Sequence, residues 1–236
     1  MKNRPLRFYC FSPTVMVLTF IIEVSLMVYV LFRYKLNTLT RLVAALLFCL
    51  ALFQLAEYKI CGTHGNAEAW ARAGFVAITM LPPLGLHLAL YIVKRGWLVL
   101  NTLAYITAAG FIYLFTFGQH TFSGHVCGGN YVIFQLDYVV SNFYYFYYYG
   151  WLLITIMLCL QFYYESKQAS VRKALKWLVI GYLAFLVPTT VINSYSPATK
   201  AGVPSIMCGF AVLFALILAI GVLPPASKAK PVKKKS

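Results

Sequence analysis

The sequence predicts an all-α, polytopic membrane protein: a seven-transmembrane-helix bundle with its N-terminus outside and its C-terminus cytoplasmic. Three observations lead there. The chain of 236 residues is 61% hydrophobic and only 11% charged, whereas a soluble domain carries about 25% charged residues. Apolar stretches of about 20 residues, long enough to cross a hydrocarbon core at the rise of an α-helix, recur along the chain. Lys and Arg gather at the ends of those stretches. A membrane β-barrel is excluded, because its strands read as short alternating segments of about 10 residues. The formal net charge of +15 is no sign of nucleic acid, since the basic residues are not interleaved with aromatics on one amphipathic face.

Seven spans follow in order: 13–33, 39–60, 68–94, 96–117, 138–164, 173–195 and 202–223. Pro13 sits where a first-turn proline is tolerated, and Pro224-Pro225 is expected to stop the last helix. Only Arg95, Gly96 and their neighbours separate the third span from the fourth, so that turn must be tight. A signal-peptide reading of the first 30 residues is disfavoured: no small-residue cleavage site follows the apolar run, and Glu23 interrupts it.

Orientation follows from the basic residues. One side holds fourteen: Arg33, Lys35, Arg41, Lys94, Arg95, Lys167, Arg172, Lys173, Lys176, Lys228, Lys230, Lys233, Lys234 and Lys235. The other holds six: Lys2, Arg4, Arg7, Lys59, Arg72 and Lys200. The richer side is expected to be cytoplasmic. The domain expectation is one transmembrane domain over 1–225 and a disordered basic cytoplasmic tail over 226–236, whose lysines Lys228, Lys230, Lys233, Lys234 and Lys235 contact anionic lipid. The lipid bilayer is therefore a partner. The longest connection, 118–137, lies outside; its glycines and the β-prone run Tyr131 to Phe134 predict a small hairpin.

With only five acids in the chain, each is informative. Glu23 lies near the middle of the first span. A buried carboxylate is costly there, so it either serves a proton, a cation or a polar ligand, or fixes packing through a hydrogen bond. Gln54, Glu57, Tyr58 and Cys61 follow i, i+3, i+4, i+7 spacing and share one face of the second helix. That polar stripe lines an outward-opening pocket or else places Glu57 beside Lys59 or Arg72. Glu68 and Arg72 are an ordinary i, i+4 pair. Asp137 suits the N-terminal end of the fifth span, and Glu165 is expected in solvent. His87 follows Pro82-Pro83, which must kink the third span and free backbone carbonyls; it is a hinge-side ionisable group or simply hydrogen-bonded to a neighbour.

Cys61 and Cys127 fall in separate outer connections, where oxidation favours a disulfide. His64 and His125 flank them, so a site of Cys61, His64, His125 and Cys127 for a metal is an alternative of lower weight, its spacing being no standard zinc signature. Unpaired thiols are the third reading. Cys10, Cys49, Cys159 and Cys208 read as ordinary apolar thiols. From Phe143 to Trp151 the chain reads Phe-Tyr-Tyr-Phe-Tyr-Tyr-Tyr-Gly-Trp. It makes an interfacial aromatic belt, or, where Tyr144, Tyr148 and Trp151 share a face, an aromatic-walled ligand site. No phosphate loop, His-Glu-x-x-His or nucleophile elbow occurs, so no enzymatic activity and no cofactor are expected. A retinal site needs a lysine in the last span, and 202–223 has none.

The third helix opens with Trp70-Ala-Arg72-Ala-Gly74 and continues to Leu81-Pro82-Pro83; a basic stretch runs from Lys167 to Lys176, and a polar outer connection from Asn193 to Pro204. On these features residues 14–223 resemble the seven-helix N-terminal sensor region of some bacterial and archaeal histidine kinases. The resemblance implies signal reception through a prokaryotic plasma membrane. It carries over no ligand residues. That family continues into cytoplasmic output domains, and this sequence ends shortly after its last span, so a stand-alone sensor or receptor-like module acting through a separate signalling partner is expected. The alternatives are a small transporter or channel using Glu23, Glu57 and His87, and a structural scaffold.

Overall fold

A computed structural model describes residues 13–62, 66–119, 121–127, 132–195 and 203–229. It is a helical bundle with seven helices long and apolar enough to cross a membrane. In chain order these begin with α1 (Pro13–Arg33) and α2 (Thr38–Gly62), followed by a broken span of α3 (Ala67–Thr79) and α4 (Leu81–Val93), and then α5 (Leu98–Phe117). A hairpin of β1 (Phe122–Cys127) and β2 (Val132–Leu136) follows. The chain then forms α6 (Tyr138–Glu165), α7 (Ala169–Tyr195) and a last span of α8 (Val203–Leu216), a π-helical turn (Ile217–Val222) and α9 (Leu223–Ser227).

Helix ends are set by local chemistry. Asn37 Oδ1 accepts from the Thr40 N–H at 2.9 Å and opens α2. Asp137 opens α6 by accepting from the N–H groups of Val139 and Val140, the role expected for an acid at a helix N-terminus. The tight turn after α4 closes through Lys94, left-handed at φ 56°; the Lys94 and Arg95 N–H groups return to the Tyr91 and Leu90 carbonyls. This is the geometry glycine usually supplies after a helix. The hairpin predicted in the long connection is present and antiparallel, with an irregularity between Phe122 and Gly124.

α2 and the α3–α4 span form the centre, with 67% and 72% of their most apolar stretches buried, against 22% for α1 and 17% for α5. α1 packs along α2, α2 against α3 and α4, α7 against α6 and α8, while α8 touches both α1 and α2. Phe53, Phe75, Leu86, Phe115, Leu152, Leu178 and Tyr182 are among the largest fully buried side chains. The outward residues, such as Leu18, Ile21, Ile106 and Ile220, are equally apolar, as a bundle in lipid requires.

Two expectations need correction. Pro224-Pro225 does not stop the last span: both prolines sit in the first turn of α9, where no N–H is needed, and the helix runs to Ser227. Ala226 is buried and Lys94 Nζ reaches the Ala229 carbonyl at 3.4 Å. The remaining tail lysines, Lys230, Lys233, Lys234 and Lys235, lie outside the described residues; Lys228 is exposed. Finally, the sixth span begins at Ala169 rather than 173. Its first turn is polar, so hydropathy alone starts the helix too late.

Candidate functional site

Met16, Thr19, Glu23 and Val30 are buried residues on the inner side of α1, at the three- and four-residue steps that put side chains on one helix face. Thr19 satisfies itself, its Oγ1 donating to the Val15 and Met16 carbonyls. Glu23 does not. It is 0% exposed, and both of its carboxylate oxygens are buried without a hydrogen-bond partner among the described residues. Glu57, on the neighbouring helix α2, is close enough for its charge to be felt at Glu23. Glu57 is 1% exposed and Gln54, one turn earlier, 2%; both are engaged in further interactions. Tyr58 is half-buried beside them in sequence. α8 closes the third side of the α1–α2 pair.

Of the predicted polar stripe on α2, Gln54 and Glu57 are thus buried inside the bundle, on the helix packed along α1. An uncompensated buried carboxylate is among the most costly groups a fold can hold. Buried polar groups that only tie helices together are hydrogen-bonded. Glu23 makes no such bond among the described residues. Chemically, the arrangement can exchange a proton or draw a cation from outside the protein.

His87 is not brought to this pair. It is half-buried on α4, its Nδ1 lies 3.1 Å from the Tyr105 hydroxyl of α5, and the two rings meet edge to face. It lines a separate cleft of about 480 Å³ with Asn101, Lys94 and Arg95. The Pro82-Pro83 break beside it does free a carbonyl, and sequence reasoning did not find what takes it: the Tyr147 hydroxyl donates to Thr79 O at 2.7 Å.

The aromatic run of α6 divides. Phe143 and Phe146 face outward at 67% and 83% exposure, while Tyr144, Tyr147 and Tyr148 are buried. Tyr144 packs on Phe115 with ring centroids 5.0 Å apart and Tyr147 on Phe111 at 4.9 Å; Phe75 also contacts Tyr144. The rings fill the space between α3, α5 and α6 with each other. Trp151 stands half-exposed, its Nε1 donating to Thr107 Oγ1 at 3.0 Å. Tyr144 and Tyr148 therefore belong to a packed aromatic cluster, their ring centroids 5.9 Å apart.

Glu68 pairs with Arg72 at 2.7 Å as predicted. Sequence reasoning missed the larger role of Arg72, whose guanidinium also donates to the carbonyls of Phe115, Thr116 and Gly118 and caps the end of α5. Glu165 is half in solvent and paired to Arg95 at 3.2 Å. Cys49 and Cys159 are buried free thiols. The side chains of Cys61, His125 and Cys127, and the whole of His64, lie outside the described residues, as do the disulfide and metal readings placed on them. Among the described residues no group of three or more His, Cys, Asp or Glu is placed to hold a metal. The chain matches no protein-family model, and comparison with curated proteins finds no relative.

Proposed function

We propose that this chain is a sensor-like membrane module, and that the Glu23–Glu57 pair is its receiving element, responding to a proton or a small cation. The single observation that supports this reading is the state of Glu23: fully buried, with neither oxygen hydrogen-bonded and Glu57 acting on it. Two ionised carboxylates in low dielectric repel each other, and a proton or cation relieves that repulsion. Loading the pair strengthens the α1–α2–α8 contact; unloading loosens it. Because α1 is largely exposed outside this contact, its position is the natural output, read by a separate signalling partner in the membrane or the cytoplasm. The N-terminus lies outside and the C-terminus inside, as the basic residues favour, in a cell membrane of prokaryotic type.

Transport is the second reading, since it would use the same carboxylates. The separation of His87 from the pair speaks against the three-residue path that transport was expected to use. Thermal unfolding of the purified protein in nanodiscs tests the proposal. Acidic buffer or an added cation raises Tm if it binds the folded bundle at this pair, and Glu23→Gln abolishes the dependence. A Tm in the wild type that is indifferent to both pH and cations contradicts it. Uptake of that ion into sealed vesicles identifies a transporter instead.

A further inference from the structure

At the end of the bundle where α7 begins, a cleft of about 600 Å³ opens between α7 and the last span. Its wall is apolar, formed by Trp177, Ile217 and Ile220, and its mouth carries Lys173, Lys228 and Ser170. Both lysines are exposed. Along this wall the last span changes to a π-helical turn at Ile217–Val222, with Gly221 in it. A Cβ at Gly221 would come within 3.0 Å of the Trp177 ring, so glycine lets the indole lie against the backbone. Ile220 is 65% exposed beside it.

The two lysines have no acid to meet. The chain has five acids: Glu68 is held by Arg72 and Glu165 by Arg95, Asp137 caps α6, and Glu23 and Glu57 are buried in α1 and α2. No ion pair among the described residues includes Lys173 or Lys228. A cleft with two unneutralised cations and a hydroxyl at the membrane edge, continuous with an indole and branched aliphatic side chains running inward, is divided as a phospholipid is divided. Lysine supplies the point charge for a phosphate, and Trp prefers the interfacial level. We infer that this cleft binds one anionic phospholipid from the adjoining leaflet, its phosphate between Lys173, Lys228 and Ser170 and an acyl chain along Trp177, Ile217 and Ile220. The inference is independent of the acid pair, and either can fail alone. It differs from diffuse attraction of a basic tail in naming a stoichiometric site on folded helices.

Native mass spectrometry of the full chain in mild detergent tests it, with phosphatidylglycerol, phosphatidylcholine and inorganic phosphate added in separate arms. The site predicts one retained phosphatidylglycerol and little phosphatidylcholine. Lys173→Gln with Lys228→Gln weakens phosphatidylglycerol about 30-fold, from the usual attraction of each basic residue near an anionic surface. Lys35→Gln, an exposed lysine in the α1–α2 turn at the same end, leaves it unchanged. Ile220→Ala, which keeps the position apolar and shortens the wall, weakens lipid retention. Equal retention of the two lipids, equal loss in Lys35→Gln, no loss in the double variant or in Ile220→Ala, or inorganic phosphate binding as tightly as the lipid would each overturn the inference.

Discussion

The Tyr147 hydroxyl donates a 2.7 Å hydrogen bond to the carbonyl oxygen of Thr79, the acceptor that an N–H at position 83 would fill in an unbroken helix. Pro82 and Pro83 have no N–H to give, and α3 ends at Thr79. A tyrosine from α6 therefore replaces a missing backbone donor at the break in the central span. Tyr147→Phe leaves that carbonyl buried and unpaired, at a cost of about 1–3 kcal/mol. On a Pro83→Ala background the cost falls, because the new N–H reaches the same oxygen. Chemical unfolding of the four proteins in detergent measures the coupling; equal costs on both backgrounds would refute the relationship.

Arg72 ties the start of α3 to the end of α5 through three carbonyls. Arg72→Gln is expected to cost about 2 kcal/mol, as the loss of charge-assisted hydrogen bonds does. Glu68→Gln removes only an exposed i, i+4 ion pair and should cost less than about 0.5 kcal/mol. The comparison is made by thermal melting, and similar losses in the two variants would show that the cap contributes nothing of its own.

Gly85 of α4 lies directly beneath the hydroxyl of Tyr182 on α7. That hydroxyl is buried without a hydrogen-bond partner among the described residues. Gly85→Ala forces the ring out of a packed site shared with Phe185 and Phe214, costing about 1–3 kcal/mol. Tyr182→Phe alone removes an unsatisfied polar atom and should be neutral or stabilising, and the double variant should recover most of the loss. A double variant no better than Gly85→Ala would place the strain elsewhere.

The helices were legible because hydropathy reports lipid contact. Residues 13–33, 138–164 and 96–117 fall within two residues of α1, α6 and α5. Hydropathy fails where a helix leaves the apolar layer, as at Ala169, or where backbone geometry changes inside an apolar run, as at Met80 and in the π-helical turn. Glu23 and the Gln54–Glu57 face were readable because acids are scarce and costly in lipid. That Glu57 acts on Glu23, and that His87 turns instead to Tyr105, depends on helix rotation and packing, which spacing within one helix does not encode. The roles of Arg72 and Tyr147 were hidden for the same reason: each contacts backbone on another helix.

The proposed function requires Glu23 to exchange a proton or a cation inside the bundle. Infrared difference spectroscopy reads this directly, in nanodiscs switched between acidic and alkaline buffer and, separately, with and without added cation. A difference band is expected in the carbonyl-stretch region of protonated carboxylic acids, or a matching change in the carboxylate bands on cation addition. The band should disappear in Glu23→Gln and change in Glu57→Gln. A carboxyl spectrum that stays constant under both switches, or one that Glu23→Gln leaves unaltered, would contradict it.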